Sequence, residues 1–176
     1  MKLVVERGFG GASVAMISQQ AEVASGYFYM HYPGKYEMVN AILHEVYLEV
    51  LTKFEDLMQN NQSFEVTVEN IVRHFIEMAN NEPEKIKFLY VLTNDYSFVL
   101  DKEIRENTYR IIRLLAKMGQ KSGTLDPAIT DDDLYLLTLS TIFLYINQYF
   151  KKHDNATKIL EEETRHLIYL VQKILK

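Results

Sequence analysis

Cysteine is absent from this 176-residue chain, so disulfides, thiolate metal sites and cysteine nucleophiles are excluded. Proline and glycine are sparse, at 3 and 7, and nowhere do they gather with serine into a linker. No run of about 18 apolar residues offers a membrane span, and no signal-peptide pattern opens the chain; a cytoplasmic protein without membrane association is expected. Strand-like alternation is missing too. No glycine-rich phosphate loop, Walker sequence or serine-nucleophile motif occurs, so neither catalysis nor a cofactor is expected. Basic excess is also lacking, since the net charge is −5.

What is present is helical amphipathicity, in a chain whose 48% hydrophobic content is enough to bury a substantial core. From Lys35 the pattern predicts a long helix to Gln59, with Val39, Ile42, Val46 and Val50 on one stripe and Asn60-Asn61-Gln62-Ser63 ending it. Helices are predicted next over about 64–80, 84–96 and 101–121, separated by Asn80-Asn81-Glu82-Pro83 and stopped by Ser122-Gly123 and Asp126-Pro127.

The stretch from Ala21 to Lys35 reads as a turn and a short helix, preceded by a helix on which Val14, Ile17 and Ala21 recur at helical spacing. Together they predict a helix-turn-helix. An amino-terminal turn holding Ser25, Gly26 and Tyr27 aims backbone N–H groups and a hydroxyl at a phosphate. Tyr29 and His31, two residues apart, point to different sides, and Lys35 follows the Pro33-Gly34 break as a point charge. Arg, Asn and Gln are absent from residues 25–32, so apolar contacts from Tyr27 and Met30 are the expected base contacts and phosphates set the register. An aromatic-rich helix can equally be core, and only its flanks argue otherwise.

Those flanks carry a resemblance. Gly8, Phe9, Ser13, Ile17, Ala21, Val23, Gly26, Tyr29, His31 and Lys35, with Phe28, Tyr32 and Met38 as apolar substitutes, resemble the DNA-binding region of TetR-type transcriptional regulators. Ala24 stands where that pattern has a capping Ser, Glu22 where it has a turn Gly, and Ala12 where it has a hydroxyl. Only residues 1–7 precede Gly8, so most of the first helix is expected to be missing. The resemblance implies an all-α protein: a helix-turn-helix DNA-binding region over 1–38 and a larger helical ligand-binding and dimerisation domain over 39–176. It also implies a DNA operator, palindromic for a dimer, contacted by Ser13, Ser25, Gly26, Tyr27, Tyr29, Met30, His31 and Lys35. Charge argues the other way: residues 1–38 carry Lys2, Arg7 and Lys35 against Glu6, Glu22 and Glu37, leaving 16 basic and 21 acidic residues in 39–176.

Between Thr130-Asp131-Asp132-Asp133 and Lys151-Lys152-His153 the sequence predicts a helix that is apolar on two sides. Leu134, Leu137, Thr141, Tyr145 and Gln148 form one side, and Leu136, Leu139, Phe143, Ile146 and Phe150 the other. The final helix is expected to be capped by Asn155 and to carry Ile159, Leu160, Leu167, Ile168, Val171, Ile174 and Leu175. Two copies of this pair, about 130–153 and 155–176, would cover both faces as a four-helix bundle, although a larger single-chain bundle also accounts for them. The resemblance implies the homodimer.

Aromatic side chains crowd the middle helices, which suggests a small apolar or aromatic effector. The candidate contacts are His74, Phe88, Tyr90, Asn94, Tyr109, Phe143, Tyr145 and Asn147. Glu163 and His166 have the i, i+3 spacing of di-iron bundles, yet no other His has a Glu three before it, so no metal site is expected. The expected protein is a repressor released from its operator by the effector; the alternative is a helical ligand-binding dimer that no longer reads DNA.

Overall fold

A computed structural model describes residues 1–59, 62–153 and 156–176, and among these every regular element is helical. The head comprises α1 (Lys2–Gly11), α2 (Val14–Gln20) and α3 (Ser25–His31). α1 is interrupted at Gly8, whose φ of 71° and ψ of 169° leave the helical region; L side chains rarely adopt such a φ. Ser13 caps α2 by accepting the Met16 N–H at 3.2 Å. The residue of α2 that is buried is Ser18, not the apolar Val14, Ile17 or Ala21: Val14 and Ile17 are half-buried and Ala21 is exposed. So short a helix lies on its neighbours edge-on and turns a single position fully inward.

The body comprises α4 (Lys35–Gln59), α5 (Phe64–Asn81), α6 (Pro83–Asn94), α7 (Lys102–Ser122), a composite helix and α10 (Glu161–Ile174). Caps explain the boundaries: Ser63 accepts the Val66 N–H, Pro83 occupies the first turn of α6, Asp101 accepts the Glu103 N–H, and Gly123 closes α7 with a left-handed φ of 70°. α4 buries Val39, Leu43, Val46, Val50, Leu51, Phe54 and Leu57 as one stripe, against α7 and α5. It starts in the head and ends deep in the body, so the expected 38/39 division falls inside a continuous helix. α10 packs on α5, and α1 packs on α6.

The composite helix comprises α8 (Asp131–Tyr135), a π-helical turn (Leu136–Ser140) and α9 (Thr141–Lys152). Thr130 and Asp133 form a reciprocal capping box at its start. The wider π turn changes the facing of the residues that follow, and the buried set is Leu134, Thr138, Leu139, Ile142 and Ile146. This corrects the two apolar faces expected from an uninterrupted helix: Leu136 is exposed, Leu137, Tyr145 and Phe143 are half-buried, and Gln148 is exposed. The final helix begins at Glu161, with Leu160 at its cap position, later than the expected cap Asn155. Asn155, the expected cap, lies outside the described residues, as do Asn60 and Asn61.

Candidate nucleic-acid interface and ligand cavities

Helix α3 presents nearly all of its surface outward. Only Phe28 is buried; Ser25, Gly26, Tyr27, Tyr29, Met30 and His31 are exposed, with Met30 at 78%. An outward Met and two Tyr are costly to leave in water, which marks a face built for contact. Tyr27 and His31 stack obliquely at 4.7 Å, and a Cβ on Gly26 would meet nothing within 4 Å, so a backbone or phosphate can approach there. Ala24 occupies the cap position without a side-chain hydrogen bond, and Glu22 holds the turn at a φ of 56°. Both departures from the family pattern therefore cost stability in this head.

Lys35 has a structural engagement. Its ammonium donates to the Phe9 carbonyl at 2.5 Å and the Ala12 carbonyl at 2.7 Å, and lies 4.2 Å from the Phe9 ring centre. It closes the end of α1, where carbonyls lack helical partners. Ser13 likewise uses its hydroxyl as an acceptor for the α2 cap while remaining exposed.

The head is locked to the body by Asp95, which follows α6. Asp95 Oδ2 accepts the Phe9 N–H at 2.7 Å, and Oδ1 accepts the Ser97 N–H and hydroxyl at 2.9 and 2.6 Å. These donors, the Ser97 hydroxyl foremost, hold its carboxyl below the usual 3.8. Phe9 meets Phe98 edge-on at 5.0 Å, and the Tyr36 hydroxyl donates to the Val99 carbonyl at 3.1 Å. Sequence reasoning missed Asp95, because nothing local connects it to residue 9.

Two cavities flank α9. An inner one of about 60 Å³ is almost wholly apolar and lies between α4 and α7, with Leu43, Tyr47, Phe54, Phe75, Ile111 and Phe143 among its walls. Burial pushes the Tyr47 phenol on this side well above its usual range and raises that of Tyr135. An outer cavity of about 390 Å³ opens between α1, α6 and α9, where Val5, Tyr90, Phe143 and Asn147 form walls and Lys87 and Lys151 stand exposed at the rim. Of the eight expected ligand contacts, Tyr90, Phe143 and Asn147 line a cavity described here. Phe88 is fully buried core, and Asn94 Nδ2 donates to the Tyr90 carbonyl one turn back at 2.8 Å. The Tyr109 hydroxyl donates to Asp132 at 2.6 Å, which with desolvation and nearby charge raises its pKa to about 12. Tyr145 donates to Glu163 Oε2 at 2.5 Å and joins α9 to α10. His74 packs edge-on to Phe54, and burial lowers its pKa.

Glu163 is thus taken by Tyr145 while His166 is exposed, and the pair forms no metal cluster among the described residues. No helix among them is long and apolar enough to cross a membrane.

Residues 1–42 match the family model for "Bacterial regulatory proteins, tetR family". No curated protein matches the chain. Among solved structures, a TetR family transcription regulator from Marinobacter aquaeolei VT8 superposes with a TM-score of 0.76 at 17% identity, covering 98% of this chain and 88% of that one. The ketosteroid transcriptional regulator KstR2 of Mycobacterium tuberculosis gives 0.72 at 16% identity, with 99% and 90% covered. The transcriptional regulator FadR from Bacillus subtilis, in complex with stearoyl-CoA, gives 0.68 at 16% identity, with 99% and 92% covered. These neighbours are regulators of transcription, not enzymes. Residues 1–42 thus match the model of these regulators, and the whole chain has their fold: a helix-turn-helix head carried on a larger helical body.

Proposed function

We propose that this protein is a repressor that binds an operator through α3 and is released when a small apolar or aromatic effector occupies the body. The observation that carries this reading is α3 itself, with six of its seven residues exposed and Tyr27, Tyr29 and Met30 turned outward. In this reading Ser25 and Gly26 approach phosphate, Tyr29 and His31 flank the groove, and Tyr27 and Met30 touch base edges. Residues 1–38 form the reading unit and 39–176 the sensing and dimerisation unit, coupled without a linker by α4 and by the Asp95 lock.

The effector reading is supported by the apolar cavities beside α4 and α6, both of which touch elements connected to the head. A ligand that binds one head orientation better than the other shifts the equilibrium between them by its differential affinity. A dimer through the composite helix and α10 is supported by Leu136 and Leu144, exposed by 56% and 51%, with Tyr169 and Ile174 outward on α10. Twofold pairing sets two α3 helices about one DNA turn apart, which suits a palindromic operator.

The direct test is binding of the chain to its own promoter region at low salt, with and without candidate effectors. Operator binding that falls as effector is added supports the reading. No binding under any condition overturns it in favour of a ligand-binding dimer without DNA affinity, the alternative suggested by the zero net charge of residues 1–38 and the uncapped α3.

A further inference from the structure

Phe143 is the one residue, among those described, that lines both cavities. Its ring meets Phe75 of the inner cavity edge-on at 5.0 Å, and its own position is half-buried. A single aromatic ring thus stands between the two cavities. Ring rotation about χ1 moves such a side chain between staggered positions without breaking a hydrogen bond, since Phe makes none.

The outer chamber is not chemically neutral. Its floor is Ala79, Ile86 and Ile146, all buried. Among the described residues its polar groups are Lys87, Lys151, the Tyr90 phenol and the Asn147 amide, and no described carboxylate lines it. Lys87 bonds Glu84 at 3.2 Å, an exposed pair that a better acceptor displaces at little cost. Asn147 Nδ2 is buried without a hydrogen-bond partner among the described residues. At about 390 Å³ the chamber falls in the range of roughly 300–1,000 Å³ common for small-molecule sites, whereas the inner cavity of about 60 Å³ is far below it.

We propose that the two cavities form one binding tunnel gated by Phe143, and that it takes an anionic amphiphile: a carboxylate or similar anion at Lys87 and Lys151, with an unbranched apolar chain running inward past Phe143. The anion satisfies the rim lysines, an acceptor near the head of the ligand meets the Asn147 amide, and the apolar end reaches the walls of Tyr47, Phe54 and Phe75. Val5 on α1 lines the same chamber, so the occupant touches the head element directly. This assignment rests on the effector reading above and narrows it to one chemical class.

The test uses the full chain, with a series of n-alkanoates and the n-alkanols of matching length as probes, followed by calorimetry and thermal shift. Alkanoates are expected to bind at least about tenfold more tightly than the matching alkanols, because the alcohol keeps no negative charge to pair with the two lysines. In the exposed double variant Lys87→Gln/Lys151→Gln the advantage of the acid over the matching alcohol should vanish. Phe143→Ala should bind longer chains than the native protein does, and Phe143→Leu provides the same reading if the smaller side chain unfolds the body. Equal binding of acids and alcohols, insensitive to the lysine changes, overturns the anionic assignment and leaves an apolar effector site standing. An unchanged chain-length profile in both Phe143 variants overturns the gate. No binding of either series overturns the assignment together with the effector reading for this chemistry, whereas operator release by another apolar compound preserves only the latter.

Discussion

Asp95 Oδ2 accepts the Phe9 N–H at 2.7 Å across 86 residues of sequence, and so joins the end of α6 to the interrupted α1. The adjacent Gly8 makes this approach feasible: a Cβ there would lie 3.2 Å from the same carboxylate oxygen, at a φ few L residues adopt. The carboxylate thereby ties the end of α6 to α1, which packs on it. Asp95→Ala should weaken effector-induced release of DNA more than it weakens DNA binding itself, and should speed amide exchange at Phe9. The carboxyl is held below its ordinary 3.8, so its contribution is present above that value and lost as pH falls through the lower folded value. The native protein should therefore lose Phe9 protection only in acid, a loss absent from Asp95→Ala because protection is already gone.

The two family departures in the turn and cap predict gains. Ala24→Ser should stabilise the head by about 1 kcal/mol by supplying the missing acceptor for α3. Glu22→Gly should add about 1 kcal/mol by relieving its positive φ. Head-specific amide exchange or thermal unfolding of the single and double variants measures both, and a double variant no more stable than the native chain would refute the account of this turn.

Lys35→Ala separates a phosphate contact from a structural one. With its ammonium on the Phe9 and Ala12 carbonyls, the substitution should lower the melting temperature and leave the salt dependence of DNA binding nearly unchanged. A salt slope reduced by about one unit, with native stability, would instead place Lys35 on the DNA backbone. Tyr27→Ala and Met30→Ala should alter sequence preference with little effect on stability, as both side chains are exposed.

For the dimer, the informative position is Leu144. Phe143 is half-buried between the cavities, so a charge there would damage the body whatever the oligomeric state. Leu144, 51% exposed on the outer face of α9, tolerates Glu within a protomer. Leu144→Glu should sediment as a folded monomer while the native chain sediments at twice its mass; a native monomer at micromolar concentration would end the dimer reading.

His74 predicts a second pH dependence. Burial favours its neutral form, Lys53 adds to that, and Glu77, Glu49 and Glu82 oppose it. A lowered histidine contributes stability that is complete above about 6.5 and lost as pH falls toward its folded value. Melting temperature should fall as pH drops below about 6.5 in the native chain, and less steeply in His74→Gln.

What the chain determined by itself is what depends on neighbours in sequence. Helix α4 begins and ends where periodicity placed it, α5, α6 and α7 lie within two residues of their expected ends, and Ser63, Asp101, Thr130 and Gly123 act as caps because a cap is a contact with a backbone group a few residues away. The helix-turn-helix was legible for the same reason: Ser13, Gly26 and Phe28 act within a single turn or two. Tertiary structure decided the rest. Whether a tyrosine lines a cavity or bonds a carboxylate depends on a partner helix, so Tyr90 stands at the outer chamber while Tyr109 and Tyr145 are held by Asp132 and Glu163. The π turn at Leu136–Ser140 reset which residues of the composite helix face inward, and strict helical counting contains no signal for it. Asp95 and Phe9 meet only because α6 and α1 pack together, and a pairing of that kind has no signature in either segment alone.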